Sequence, residues 1–175
     1  MKKKSIVSVR ALTVSAMLTA MSVVIGIFCK TFLNFDNGLF RITFENLPII
    51  IAGITLGPIA GGAVGCASDL VSYLLSAQTY PPNLIVTLGA FMIGAISGFM
   101  SKYVMKSKDN KGIIISATCA HMVGSMIIKP IGLYQFYGIL VLFRIPLYCV
   151  IAPIEIFIIC SIFKNSGIRK VFNKL

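Results

Sequence analysis

The sequence predicts an all-α polytopic membrane protein, with six transmembrane helices in one bundle and both termini in the cytoplasm. Three observations predict it. Of the 175 residues, 57% are hydrophobic and only 12% charged, and the mean hydropathy is +0.93, far from a soluble composition. Twelve of the sixteen basic residues fall in three knots: Lys2, Lys3, Lys4 and Arg10; Lys102, Lys106, Lys108 and Lys111; Lys164, Arg169, Lys170 and Lys174. Long apolar stretches separate the knots. Basic residues collect at the cytoplasmic ends of membrane helices, so three knots on one side require an even number of crossings between each pair.

A span needs about 20 apolar residues, which places helices at about 10–29, 45–57, 59–77, 82–105, 112–132 and 143–164. Together they make one membrane domain over residues 1–175. The first apolar run is long for a signal-peptide core, and no small-residue cleavage site precedes Lys30, so it reads as a retained helix. The second and third helices part at Gly57-Pro58, because proline suits a first helical turn. One unbroken helix there would also put the middle knot outside. The fourth helix follows Pro81-Pro82, the fifth follows the middle knot, and the sixth carries Pro153. The outer connections are then about 29–45, 77–82 and 132–143 on the same ruler. They are rich in aromatic and polar residues, and read either as an interfacial aromatic belt or, together on one face of a bundle, as a lid.

Small residues recur every four positions at Gly53, Gly57, Gly61 and Gly65, at Ala90, Gly94 and Gly98, and at Ala16 and Ala20. Such stripes let helix backbones approach closely. The glycine stripes read as internal packing; the Ala16–Ala20 stripe faces either the bundle or another subunit.

The net charge of +11 sits entirely in the knots, since Lys30, Arg41, Lys129 and Arg144 are balanced by Asp36, Glu45, Asp69 and Glu155. It therefore reports topology and attraction to anionic membrane lipid, not nucleic-acid binding, for which no soluble domain is present. The five cysteines lack CxxC spacing and read as small buried apolar residues. No metal site and no cofactor is indicated. HExxH, GxSxG and Walker A motifs are absent, so neither an enzyme nor an ATPase is expected on this chain.

The remaining charges are the candidate site. Asp69 continues the Gly61–Gly65 stripe by one four-residue step and so points into the bundle, and Glu155 lies mid-helix near Pro153. Intramembrane acids cost several kcal/mol unless paired or solvated, which makes them functional candidates, with a structural role as the alternative. Arg41 and Arg144 stand just before the second and sixth helices, and Lys129 lies near the outer end of the fifth. Each alone could be a snorkelling anchor, whereas two arginines converging on an outer mouth would make a bidentate site for carboxylates. Lys30 reads as a snorkelling anchor. His121, the single histidine, reads as a hydrogen-bonded packing residue.

The stretch Phe40-Arg41-Ile42-Thr43-Phe44-Glu45-Asn46-Leu47-Pro48-Ile49, then Ala52-Gly53, Gly57-Pro58, Gly61-Gly62, Gly65 and Asp69-Leu70, resembles the substrate-binding S-components of energy-coupling factor (ECF) vitamin transporters. Within them it is most similar to the folate family. Tyr80-Pro81-Pro82 and Arg144-Ile145-Pro146 leading into Pro153-Ile154-Glu155 fit the same pattern. The chain departs from folate-type sequences in having no Trp, and reads Lys129-Pro130-Ile131-Gly132-Leu133-Tyr134 where they carry an Asn-Thr-x-Trp-like segment.

The resemblance implies a multi-pass protein of the bacterial plasma membrane that binds its vitamin, folate first, under the outer loops. It then works with a membrane coupling subunit and two cytosolic ATPase subunits, docking through Ala16 and Ala20. In that reading Asp69 or Glu155 pairs with the donors of a pterin, and Tyr80 and Tyr134 stack on its rings. Arg41, Lys129 or Arg144 hold its carboxylates, with Glu45 beside them at the mouth. An S-component for another vitamin, an intramembrane lipid-modifying enzyme using Asp69 and Glu155, and a subunit without a ligand are the alternatives.

Overall fold

The computed structural model describes residues 9–35, 40–76, 83–105 and 109–165. Helix α1, Val9–Phe32, is apolar throughout. It leads into a two-residue strand β1, Asn34–Phe35, paired antiparallel with β2, Phe40–Arg41. This ladder lies within the first outer connection, expected at about 29–45, and among the described residues every element long enough to cross a membrane is helical. Its Phe residues favour extended backbone, and its two strands stay too short to make a sheet.

Helix α2, Asn46–Leu56, is buried at every position from Asn46 to Thr55. A helix that is apolar all round belongs inside other helices, and α2 packs against α1, α3 and α4. At 11 residues and about 1.5 Å per residue it is too short to span a bilayer alone. It stops at Gly57, whose φ of 97° is a conformation side chains disfavour. Pro58 then opens α3, Pro58–Leu75. The break expected at Gly57-Pro58 is present.

Helix α4, Leu84–Phe99, begins at Asn83, whose side chain caps it by accepting from the Ile85 amide. It continues through a π-helical turn, Met100–Met105. The glycine stripes lie where α2, α3 and α4 cross. A Cβ at Gly61 would sit 2.5 Å from the Gly53 Cα, and one at Gly98 2.6 Å from the Gly57 carbonyl carbon. Only glycine lets three backbones meet this closely.

Helix α5, Asn110–Ala120, runs through a π-helical stretch, His121–Ile128, into α6, Lys129–Tyr137. Pro130 cannot donate to the preceding turn and its ring crowds that turn's carbonyl, so the widened stretch ends where the proline begins. The expected outer connection 132–143 is corrected here. Nothing between Ile131 and Tyr137 breaks a helix, so α6 persists until Gly138, at φ 56°. A tight 3-10 segment, Gly138–Phe143, follows. Helix α7, Arg144–Lys164, then packs back against α5. Its buried residues, among them Tyr148, Ile151, Ala152, Glu155, Ile159 and Phe163, form one helical stripe. The expected connection 77–82 lies outside the described residues.

Among the described residues, four helical stretches are long and apolar enough to cross a membrane: Val9–Phe32, Pro58–Leu75, Leu84–Met105 and Asn110–Lys164. The core runs along α2, where Ile50, Ala52, Ile93, Ala117 and Ile159 are fully buried. Ala16 and Ala20 both lie exposed on α1.

Candidate functional site

A narrow cleft opens among α1, α2, α3, α4 and α6. It is lined by Ser22, Glu45, Ile49, Ser68, Asp69, Ser72, Ala90 and Lys129. Its serines and carboxylates stand out in an otherwise apolar helical bundle.

Three charges meet there. Lys129, at the first residue of α6, is 4% exposed, and its Nζ lies 3.2 Å from Glu45 Oε1 and 3.0 Å from Asn46 Oδ1. An ammonium this deep is tolerated because both contacts compensate its lost hydration. Glu45 precedes α2 and is held by its backbone: Ser22 Oγ donates to its carbonyl at 2.7 Å. Gly26 leaves room for the carboxylate, since a Cβ there would lie 3.0 Å from Glu45 Oε2. Gly89 does the same for the lysine stem, with 2.9 Å from its built Cβ to Lys129 Cγ. Asp69, half-buried on α3, accepts a 2.6 Å hydrogen bond from Thr87 Oγ1 on α4.

A second polar group lies behind the cleft. Glu155 on α7 is fully buried, with His121 Nε2 2.9 Å from its Oε2. That approach is short but outside hydrogen-bond alignment, and Glu155 Oε1 meets no donor among the described residues. His121 Nδ1 lies 3.3 Å from Ser125 Oγ, and Asn46 Nδ2 lies 3.5 Å from the same oxygen. His121 is buried between Ser125 and Glu155, a partner its isolation in the sequence did not suggest.

The structure brings Glu45, Asp69 and Lys129 together and leaves other candidates apart. Arg144 is 9% exposed and stacks over the Tyr137 ring, 5.3 Å from its centroid, rather than lining the cleft. Tyr134 is helical, and at 60% exposure it faces outward. Arg41 pairs through its backbone with Asn34; its side chain, like all of Tyr80, lies outside the described residues. Lys30 does more than snorkel: its Nζ reaches Ser76 Oγ at 3.3 Å and the Ser72 carbonyl at 3.4 Å, at the end of α3. A cation there also meets the negative end of the helix dipole.

Sequence reasoning missed Ser22, Asn46, Thr87 and Ser125. A signal existed for some of them. His121, Ser125 and Lys129 repeat every four residues along one helical rod, and Asn46 is the single amide in an apolar helix.

One cation among two carboxylates, ringed by hydroxyls, makes a site rich in acceptors for a donor-bearing ligand. No group of three or more His, Cys, Asp or Glu able to hold a metal occurs among the described residues.

Residues 10–172 match the family described as ECF transporter, substrate-specific component, and the chain belongs to that family. It is a membrane protein and the substrate-specific part of a transporter, not the part that hydrolyses ATP. Among curated relatives, the folate transporter FolT of Clostridium novyi (strain NT) is 23% identical over 161 residues, covering 89% of this chain and 91% of that one. Among solved structures, FolT bound with folic acid matches with a TM-score of 0.68 at 23% identity, over 87% of this chain and 91% of that chain. The family expected from the Phe40–Asp69 block is the family found, and the fold is shared.

Proposed function

We propose that this protein binds folate or a reduced folate and delivers it to an ECF importer. The single observation that carries the reading is the Glu45–Lys129–Asp69 cluster in a cleft at the meeting of five helices, in a chain of the substrate-specific family. The printed names of its relatives, a folate transporter and a structure with folic acid, support the same substrate.

In this reading Asp69 accepts from adjacent donors of a pterin, and Lys129 offers a cation to a ring carbonyl or carboxylate. Glu45 holds the lysine. For Arg144 and Tyr134 to hold a carboxylate or stack on a ring, as the sequence suggests, Arg144 would leave the Tyr137 ring and Tyr134 would turn inward when the ligand enters; the same roles are proposed for Arg41 and Tyr80. Glu155 stays a buried acid behind the ligand. The cleft holds only about 10 Å³ of free volume, near the room one water needs, so the walls part when the vitamin enters.

The reading keeps one membrane domain with both termini cytoplasmic and six crossings, the short α2 counted with the turns on either side of it as one of them. The three basic knots support that orientation. Its partners are a membrane coupling subunit and two cytosolic ATPase subunits, approached through the exposed Ala16 and Ala20. Native mass spectrometry of the detergent-purified protein, with and without added folic acid, tests the substrate. One bound folic acid supports the reading. A different co-purified vitamin replaces the substrate but keeps the transporter, and lipid turnover would replace both.

A further inference from the structure

We propose that His121 and Glu155 are positioning residues for Lys129, acting on the cleft through Ser125 and Asn46. The proposal rests on the reading of the cleft as the ligand site, and assigns to the second polar group a part in it.

The observations are a row of polar side chains with almost no exposure. Ser125, Asn46 and Glu155 are fully buried, His121 is 1% exposed and Lys129 4%. Each touches the next. Lys129 Nζ donates to Asn46 Oδ1 at 3.0 Å, and Asn46 Nδ2 faces Ser125 Oγ at 3.5 Å. Ser125 Oγ faces His121 Nδ1 at 3.3 Å, and His121 Nε2 stands 2.9 Å from Glu155 Oε2.

Donor direction follows from the lysine. Its ammonium has donors only, so Asn46 must present oxygen to it and therefore its amide N–H to Ser125. The serine oxygen, already accepting, turns its own O–H toward His121 Nδ1. The imidazole proton is left on Nε2, facing the Glu155 carboxyl. The donors from Lys129 to Ser125 all point away from the cleft, so each of these bonds polarises the next, and the row ends at Glu155 in a close electrostatic approach of His121 Nε2 rather than a hydrogen bond.

A core tie between α5–α6 and α7 would need only His121 and Glu155. It would not need an amide inside the most buried helix, nor a serine without exposure between them. Burying each such group costs free energy unless it is satisfied. The row makes sense as a unit ending at the cleft lysine. Asn46 stands at its turning point, holding Lys129 from one side while Glu45 holds it from the other.

The test uses two variants with different chemistry. His121→Gln keeps an amide donor where Nε2 meets Glu155 and removes the contact of Nδ1 with Ser125. Ser125→Ala cuts the row one step nearer the cleft with little change in volume. Three quantities are read on purified protein: acetylation of Lys129 by acetic anhydride, measured by peptide mass spectrometry; folic acid affinity; and thermal stability. Each variant is expected to raise Lys129 acetylation and weaken folic acid binding by about fivefold, the worth of one hydrogen bond. Stability should fall in both variants, because each leaves a buried polar group without its partner, so acetylation and affinity decide. The His121→Gln/Ser125→Ala double variant should do no more than either single change, because both cut one path.

Unchanged acetylation and affinity with lowered stability would reduce His121 and Glu155 to a core tie and overturn the proposal. Raised acetylation with unchanged folic acid affinity would also overturn it, since the lysine would then be released without consequence for the ligand. If wild type binds no folic acid, the folate reading fails separately, and Lys129 acetylation alone decides the positioning. Should His121→Gln not fold, Ser125→Ala carries the same outcomes.

Discussion

Glu45 and Lys129, 84 residues apart in the chain, meet with Oε1 and Nζ 3.2 Å apart, and neither side chain is more than 15% exposed. The contact joins the turn before α2 to the start of α6, so it sets both the shape and the charge of the cleft.

Removing one member of that pair leaves the other charge buried. Lys129→Met and Glu45→Gln should therefore each destabilise the ligand-free protein by about 3–5 kcal/mol. The double variant should recover much of the loss, because an apolar stem beside a neutral amide leaves no orphan charge. Thermal unfolding in detergent checks this. Equal and additive losses would mean that the two groups act separately.

The glycine crossing makes a second prediction. Gly61→Ala and Gly94→Ala should each cost about 1–3 kcal/mol or more, as overpacking does where the neighbour cannot yield. The obstacles here are backbone atoms of α2, α3 and α4 rather than mobile side chains. Gly138→Ala has nothing within 4 Å to strike, so its cost should come from the positive φ alone. Unfolding midpoints of the three variants give the comparison.

These glycines also show how much of the molecule was legible in the sequence. The Gly53–Gly65 and Ala90–Gly98 stripes are a local, periodic signal, and the close crossing of α2, α3 and α4 follows from them. So do the Gly57-Pro58 break and the inward direction of Asp69. The site was legible only in part. The His121–Ser125–Lys129 spacing puts Lys129 on one face with two buried polar residues, but its partner Glu45 lies 84 positions away and no local pattern names it. The partner of His121 lies 34 positions away on α7, and no local pattern links the two. Tyr134 falls on the connection expected at 132–143; the helix that persists to Tyr137 turns it outward, and Arg144, at the head of the last helix as expected, lies over the Tyr137 ring.

The exposed alanine face of α1 makes a third prediction. Replacing Ala16 and Ala20 by bulky residues should leave folic acid binding by the isolated protein intact and abolish uptake in cells. Small side chains allow a partner helix to approach, and large ones prevent it. Because both positions are exposed, stability should not change. A parallel fall of binding and uptake would assign the stripe to internal packing.

Orientation is tested by cysteine labelling in a cysteine-free background. Asn110→Cys, beside the middle basic knot, should react with an impermeant reagent only after the cytoplasmic side is opened. Labelling of intact cells at that position would reverse the topology that the three knots require.

The central claim is that Asp69 reads the ligand, and folic acid titration of purified Asp69→Asn beside wild type tests it most directly. Asparagine keeps the shape, and an amide can still accept from Thr87, but it presents a donor where the carboxylate has only acceptors. The account predicts one folic acid per wild-type protein. For the variant it predicts roughly ten- to hundredfold weaker binding, about 1.5–3 kcal/mol for a lost charge-assisted contact, with ligand-free stability unchanged. Wild-type affinity in a variant of lowered stability would contradict it, and would make Asp69 a structural partner of Thr87.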